Sequence, residues 1–421
     1  MKFFNKNIKI APDKQILVEN FFSLSLLQGA NYILPLLVLP YLVRILGIEK
    51  YGLVVFAQAL AQYFILFTDF GFDLSATRNI SVCREDKKQV NEIFNTVMFI
   101  KFGLMLIGLL LFLLIIMGFS RFRQEWAFFL FGYGAVIGNM LFPLWFFQGM
   151  EKMKYITALN ILSKLIFTLA VFVVIRRPSD YFYVPLLYST GFIVSGIWAQ
   201  RITVKKFGLS YALPSRKNVY AKFKESSQFF ASRISLSIFT SSNVFVLGLF
   251  AGNEIVGYYA AAEKLFIAIK SAYQPMVTTL YPYISKMKNV TFFKKVFKLA
   301  TLFNIFLSIA VFFLAYNIVE IIFGEGMQLS AHILQIFTVA STFAVPSILL
   351  GFPFLAAMGY PRYANSSVII GSLVHIIGLL ILVLTSHVNI YSVAILVCIT
   401  EFVVFAIRVR ETNRNKLWDV H

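Results

Sequence analysis

The sequence predicts an all-α integral membrane protein of about twelve transmembrane helices, set out as two six-helix bundles related by a pseudo-twofold axis along the membrane normal. Three observations carry that expectation. The chain of 421 residues is 59% hydrophobic, 17% aromatic and only 14% charged, with a mean hydropathy of +0.78, whereas a soluble domain is about half apolar. Apolar runs long enough to cross ~30 Å of hydrocarbon recur down the whole chain. A short motif repeats at the equivalent place in the two halves.

The spans are predicted near residues 20–43, 52–74, 93–118, 126–147, 156–175 and 182–200, then 227–250, 258–282, 299–323, 330–357, 365–386 and 391–408. The stretch from Met1 to Glu19 is polar and basic and lacks an apolar core followed by a small-residue cleavage site, so the first span is expected to be retained. Residues 1–200 form the first predicted lobe, 201–226 a basic cytoplasmic linker with Gly208, Pro214 and Ser215, and 227–421 the second lobe with a short cytoplasmic tail. Outer connections are only a few residues long, which leaves no room for an extracytoplasmic domain.

With the N-terminus inside, the connections alternate, and most of the 38 Lys and Arg fall on the inner side, as the bias of basic residues toward the cytoplasm requires. Both termini are then cytoplasmic. The densest inner segments run from Arg78 to Lys88, Arg201 to Lys224 and Lys286 to Lys298, where anionic membrane lipids would hold them. Topology therefore accounts for most of the net charge of +19, and nucleic acid is not an expected partner. Cys83 and Cys398 have no metal-ligand spacing, and His332, His375, His387 and His421 form no pair at helical spacing. No phosphate-cradling G-x-x-x-x-G-K-[ST] run occurs. No metal, cofactor, catalytic residue or enzymatic activity is expected.

Gly47, Glu49 and Gly52 form G-x-E-x-x-G between the first two spans, and Gly252, Glu254 and Gly257 repeat it between the seventh and eighth, at an offset of 205 residues. An even number of helices per half makes such repeats parallel. Gln58, Gln62, Asp69 and Asp73 fall on one face of the second span at about 100° per residue. The same offset carries Gln58 to Glu263 and Asp69 to Gln274, with Lys270 between them. Gln28, Asn31 and Pro35 on the first span and Arg233, Ser237 and Thr240 on the seventh form a second matched pair.

Charged groups facing lipid cost several kcal/mol, about 3 by insertion scales, so they turn toward a bundle interior or a wet cavity. These four helices are expected to line a central cleft. Its candidate binding residues are Lys270, Arg233, Lys101, Lys164, Lys264, Gln28, Asn31, Gln58, Gln62 and Gln274, and its candidate coupling or gating residues are Glu263, Asp69, Asp73 and Arg78. Two readings stay open for several of them. Arg233, Lys101 and Lys164 lie about 9–13 Å inside the inner face, from which a long side chain can also reach headgroups. Lys270, near mid-span, either meets cargo or pairs with an acid of another helix. Asp69 and Asp73 either serve transport, mark a solvated helix end or form a clasp to Arg78. Pro35, Pro40, Pro143, Pro282, Pro346 and Pro353 are expected to bend or end helices.

The segment from Leu39 to Gly47 and on to Tyr51 and Gly52, with Asp69 to Phe72, Ala76 to Arg78, Trp145 to Gly149 with Glu151, and Val256 to Tyr259 with Ala262 to Lys264, resembles the O-antigen, or polysaccharide repeat-unit, flippases of the bacterial inner membrane. That family belongs to the superfamily of multidrug, oligosaccharidyl-lipid and polysaccharide exporters. The resemblance implies two six-helix bundles around a cationic lumen, and flipping of an undecaprenyl-diphosphate-linked O-antigen repeat from the cytoplasmic to the periplasmic leaflet. It implies the O-antigen polymerase machinery as a further partner. A proton or sodium ion is the expected coupling ion, with Glu263 or Asp69 as the responsive carboxylate. The alternative is an antiporter of drugs or small organic cations in the same superfamily, and the excess of interior Lys and Arg over acids favours an anionic cargo.

Overall fold

The computed structural model describes Gly29, Leu34, Pro35 and residues 37–419, with 231–241 described by backbone alone. Among the described residues the structure is helical, without strands. In chain order the helices are α1 (Leu37–Leu46), α2 (Ile48–Asp69), α3 (Phe72–Cys83), α4 (Lys87–Gly118), the single turn α5 (Ser120–Arg123), α6 (Trp126–Leu141), α7 (Leu144–Gly149), α8 (Met153–Val174), α9 (Val184–Phe207), α10 (Arg216–Phe250), α11 (Asn253–Ser271), α12 (Gln274–Met287), α13 (Val290–Phe323), α14 (Gln328–Leu350), α15 (Pro361–Leu384) and α16 (Ile390–Arg414).

Starts and stops follow local chemistry. Asp86 accepts hydrogen bonds from the Lys88 and Gln89 amides, both at 3.0 Å, and opens α4. Asn389 and Ser392 form a capping box at the start of α16. Pro143 separates α6 from α7, and Pro353 lies in a π-helical turn, Gly351–Ala356, that follows α14, whereas Pro40, Pro282 and Pro346, also expected to bend or end helices, stay inside α1, α12 and α14.

Nine described helical segments are long and apolar enough to cross a membrane, and α1 is a shorter apolar helix. The stretches of α10 and of α11 with α12, also expected to span, are helical but fall outside those nine. They carry Arg233, Glu263, Lys264 and Lys270, so their composition suits a partly polar surrounding rather than lipid on all sides. Outward-facing surfaces are apolar instead. On α13, Leu299, Phe306 and Phe313 are 72%, 70% and 75% exposed, which hydrocarbon tolerates and water does not.

The structure also corrects the expected helix boundaries. Residues 201–226 are mostly helical, as the end of α9 and the start of α10, and only 208–215 connect them. The second span ends at Asp69, where Phe70 (φ 44°) and Gly71 (φ 77°) turn left-handed, so Asp73 rides on a separate helix from Gln58, Gln62 and Asp69. The eighth span breaks likewise at Ala272 and Tyr273, which puts Gln274 on α12 and leaves Glu263, Lys264 and Lys270 on α11.

The described residues gather into two compact units. The first comprises residues 61–174 and 182–231, and the second residues 37–60, 175–181 and 232–419. Trp145, Phe146, Phe147 and Phe94 anchor the core of the first. Phe293, Phe354 and Leu349 anchor that of the second. In the first unit, Phe70 is stacked between Phe223 and Phe230 at 4.5 Å each, which holds the left-handed turn in place. The Gly71 backbone there lies against Phe229 and Phe230.

In the second unit, Arg408 is only 6% exposed. Its guanidinium donates to Ser367 Oγ at 2.9 Å, to Ser347 O at 2.6 Å and to Ala364 O at 3.3 Å. It thereby ties α16 to α15 and to the last turns of α14, just before the π-helical turn. Arg408→Lys keeps the charge but loses the planar fork, and is expected to destabilise the protein by about 2–3 kcal/mol. Thermal unfolding of the purified variant checks this.

Candidate functional site

In the first unit Lys101 is buried, its side chain 2% exposed. A buried ammonium needs a compensating charge. Asp69, the last residue of α2, supplies it: Asp69 Oδ1 accepts from Lys101 Nζ at 2.8 Å and from Asn139 Nδ2 on α6 at 2.9 Å. Asp69 remains 32% exposed, so one end of the pair is sealed in protein and the other is open. Of the readings open for Asp69 in the sequence, the clasp to Arg78 is replaced by the pair with Lys101, and Arg78 is exposed on α3.

Two of the segments that carry the resemblance meet next to this cluster. Thr77 Oγ1 donates to Asp73 O at 2.7 Å and is also within reach of Trp145 O, at 3.2 Å, and Gln148 Oε1, at 3.3 Å. Gly149 lies so close to α3 that a Cβ there would be 2.6 Å from Ile80 Cβ. Arg84 closes the same junction with two parallel bonds to Glu151, at 2.6 and 2.7 Å. The Arg84 hydrogen bond holds the Glu151 carboxyl below its ordinary value of 4.5. A depressed carboxylate contributes stability above its unfolded pKa and loses it as pH falls through the folded value, so the contribution fades below about pH 4.5. Both side chains are substantially exposed, which limits the expected gain to under about 1 kcal/mol. Comparing the thermal midpoints of wild type and Glu151→Gln above and below that pH reads it.

In the second unit Lys270 Nζ lies 3.0 Å from Glu401 Oε1 on α16 and 4.5 Å from the centre of the Phe266 ring. The side chains are 27% and 12% exposed. Of the two readings open for Lys270, the structure shows the pairing with an acid of another helix. Glu263 is on the same helix, beside Tyr51 and Tyr259. Further into this unit His375, fully buried, places Nδ1 2.9 Å from Thr400 Oγ1 and Nε2 2.7 Å from Asn243 Oδ1.

The remaining candidates are scattered. Gln58, Lys164, Lys264, Gln274 and Asp73 are half-buried, and Gln62 is exposed. Gln28, Asn31 and the side chains of Arg233, Ser237 and Thr240 lie outside the described residues. Sequence reasoning missed Glu401, Asn139, Asn243 and Arg408. Glu401 and Arg408 carried a signal, since each is ionisable within or at the end of an apolar run. The two asparagines carried none.

The repeated motif has a direct structural counterpart. Gly47 (φ 76°) and Gly252 (φ 99°) turn left-handed immediately before α2 and α11. The second glycines make the closest approach of the two helices. A Cβ on Gly52 would lie 1.7 Å from Asn253 O, and one on Gly257 would lie 2.3 Å from Ile48 O. Each copy of the motif thus presses its second glycine against the backbone that opens the other copy's helix. Only glycine allows that approach.

Comparison with known proteins places this architecture. A family model described as polysaccharide biosynthesis protein matches residues 17–288. A curated protein of Escherichia coli K12 named "Putative O-antigen transporter" is 30% identical over 415 residues, covering 96% of this chain and 99% of its own. One of Shigella dysenteriae with the same name is 28% identical over 363 residues, covering 85% and 91%. Among solved structures, the lipid II flippase MurJ in an inward closed conformation has a TM-score of 0.66 at 14% identity, covering 95% of this chain and 87% of its own. An inward-facing MATE multidrug transporter has a TM-score of 0.64 at 13% identity, covering 91% and 94%. These two likenesses show the fold. With the multi-pass helical architecture and the extent of the family match, the chain belongs to the polysaccharide biosynthesis protein family.

Proposed function

We propose that the protein flips an undecaprenyl-diphosphate-linked O-antigen repeat unit from the cytoplasmic to the periplasmic leaflet of the bacterial inner membrane, without doing covalent chemistry on it. The relatives named as O-antigen transporters support the cargo class. The observation that carries the reading is a pair of interior lysine–carboxylate bridges, one in each unit: Lys101 with Asp69, and Lys270 with Glu401. A lysine already compensated by a carboxylate keeps its charge within the membrane at rest, and can exchange that partner for an incoming phosphate oxygen, directly at the partly exposed Lys270 and, at the buried Lys101, once movement between states uncovers it. Arg233, Lys164 and Lys264 add positive charge to the proposed path. Gln58, Gln62, Gln274, Gln28 and Asn31 supply neutral donors and acceptors suited to sugar hydroxyls.

Exchange of partners also offers a route to ion coupling. A proton taken up by Asp69 or Glu263 would release positive charge to the cargo, and its loss would restore the resting pair. The contact between α2 and α11 at Gly52 and Gly257 is proposed to part as the protein alternates between states, and Asp73 and Arg78, beside the break at Gly71, are the proposed gating residues.

In a strain that makes the matching polysaccharide and has no redundant flippase, deletion of the gene should strand lipid-linked single repeats on the cytoplasmic leaflet. Normal long-chain polysaccharide after deletion would defeat the proposal.

A further inference from the structure

A cavity of about 310 Å³ opens in the second unit between the end of α13 and the start of α14. Glu320, Glu325, Gln328 and Tyr316 line it above the buried Val319 and Ala331. It lies at the same end as the repeated motif. Arg44, three residues before Gly47, donates from Nη2 to Ile321 O at 2.5 Å, and Tyr258, next to Gly257, donates to Gly326 O at 3.4 Å. Ser330 Oγ donates in turn to Tyr258 O at 2.8 Å. By the distribution of basic residues, this end faces outward.

The wall is built rather than loose. Tyr316 is hydrogen-bonded through its hydroxyl to His332 Nε2, and the other ring nitrogen, Nδ1, faces the Tyr391 hydroxyl at 3.3 Å. Three helices, α13, α14 and α16, therefore fix one aromatic ring at the cavity edge. Opposite chemistry surrounds it: ionised carboxylates only accept hydrogen bonds, and an amide both gives and accepts. A ligand that satisfies this set must present several hydroxyl or ammonium donors and a compact apolar face for the ring. Sugars do so. The two lining glutamates disfavour phosphate and carboxylate ligands, against the single guanidinium, Arg44, that lies beside Ile321 and Gly324 at the cavity edge. Among the described residues no group of three or more His, Cys, Asp or Glu is placed to hold a metal ion.

We propose that this cavity is a carbohydrate subsite at the outward end of the transport path, taking a neutral or amino sugar of the repeat unit and rejecting a uronic acid. It rests on the transport reading above, and adds where the sugar moiety pauses once the diphosphate lies elsewhere. Glu320 and Glu325 set the preference for uncharged or cationic sugars, and Tyr316 supplies the stacking face.

The test titrates the full-length protein in lipid nanodiscs with N-acetylglucosamine, glucosamine and glucuronic acid, read by saturation-transfer NMR. The two uncharged or cationic sugars should bind, and glucuronic acid at least about tenfold more weakly. The double variant Glu320→Gln, Glu325→Gln should lose about tenfold in glucosamine affinity and erase the discrimination against glucuronic acid, a change that a purely structural role would not produce. Tyr316→Ala should weaken both favoured sugars about tenfold, with the thermal midpoint confirming a folded protein. Equal binding of the three sugars, no binding of any, or affinities unmoved in both variants would overturn the subsite. In parallel, wild-type protein in vesicles is given lipid-linked oligosaccharide. Successful flipping beside a failed titration removes the subsite alone, whereas failed flipping removes the transport reading on which it rests.

Discussion

Replacing Gly52 or Gly257 by alanine is expected to cut export at least about tenfold, and the two substitutions are expected to do so to a similar degree. The added Cβ would lie 1.7 Å from Asn253 O in one case and 2.3 Å from Ile48 O in the other. Backbone cannot yield as a side-chain tip can, so α2 and α11 must move apart. Overpacking of this kind costs about 1–3 kcal/mol or more, and a factor of ten corresponds to ~1.4 kcal/mol. Because both glycines serve one contact, the double variant should do less harm than the two losses added together. Gly103 provides the comparison, since nothing lies within 4 Å of a Cβ there; in the interior of α4, Gly103→Ala should leave stability unchanged or raise it by up to about 1 kcal/mol. Export in a flippase-deficient strain, normalised to protein in the membrane, together with thermal unfolding, measures all four variants. Gly52→Ala behaving like Gly103→Ala would contradict the tight contact.

The Lys101–Asp69 pair yields the second large effect. Asp69→Ala strands an ammonium that is 2% exposed, and loss of one partner of a buried pair costs about 3–5 kcal/mol. Lys101→Met leaves the partly exposed Asp69, which water can solvate, so it should cost less. The double variant Asp69→Asn, Lys101→Met removes both charges and should recover most of the stability. If Lys101 only holds the fold, export should return with stability. On the partner-exchange reading, export stays lost by at least about a hundredfold, because the neutral pair has nothing to offer a phosphate. Thermal midpoints and lipid-linked flipping, measured on the same preparations, separate the two outcomes.

What could be read in advance from the chain was what depends on local pattern. Apolar run lengths marked the helices, and G-x-E-x-x-G marked equivalent points in the two halves, which the left-handed turns at Gly47 and Gly252 now share. The breaks within spans were harder. Gly71 gives little warning inside an apolar run, yet it separates Asp73 from Asp69 and undoes the single polar stripe expected on the second span. Pairings across the chain were not legible at all. Lys270 meets Glu401 131 residues away, and His375 meets Asn243 at 132; periodicity along one helix carries no information on its neighbours. Asn139 shows the same limit, since an uncharged amide in an apolar helix raises no flag until its Nδ2 is seen 2.9 Å from Asp69. The net charge of +19 carried no such information either, because the interior lysines Lys101 and Lys270 are each paired with a carboxylate, Lys101 with Asp69 and Lys270 with Glu401.

The most direct test of the transport reading uses purified protein in vesicles with undecaprenyl-diphosphate-linked repeat units carrying a labelled sugar, and a membrane-impermeant enzyme that modifies that sugar outside. Wild-type protein should expose to the enzyme the labelled lipid first held in the inner leaflet, and Lys101→Met, inserted to the same level, should leave it protected. Labelled lipid that stays protected with wild-type protein, or is exposed equally fast with Lys101→Met, would contradict the account.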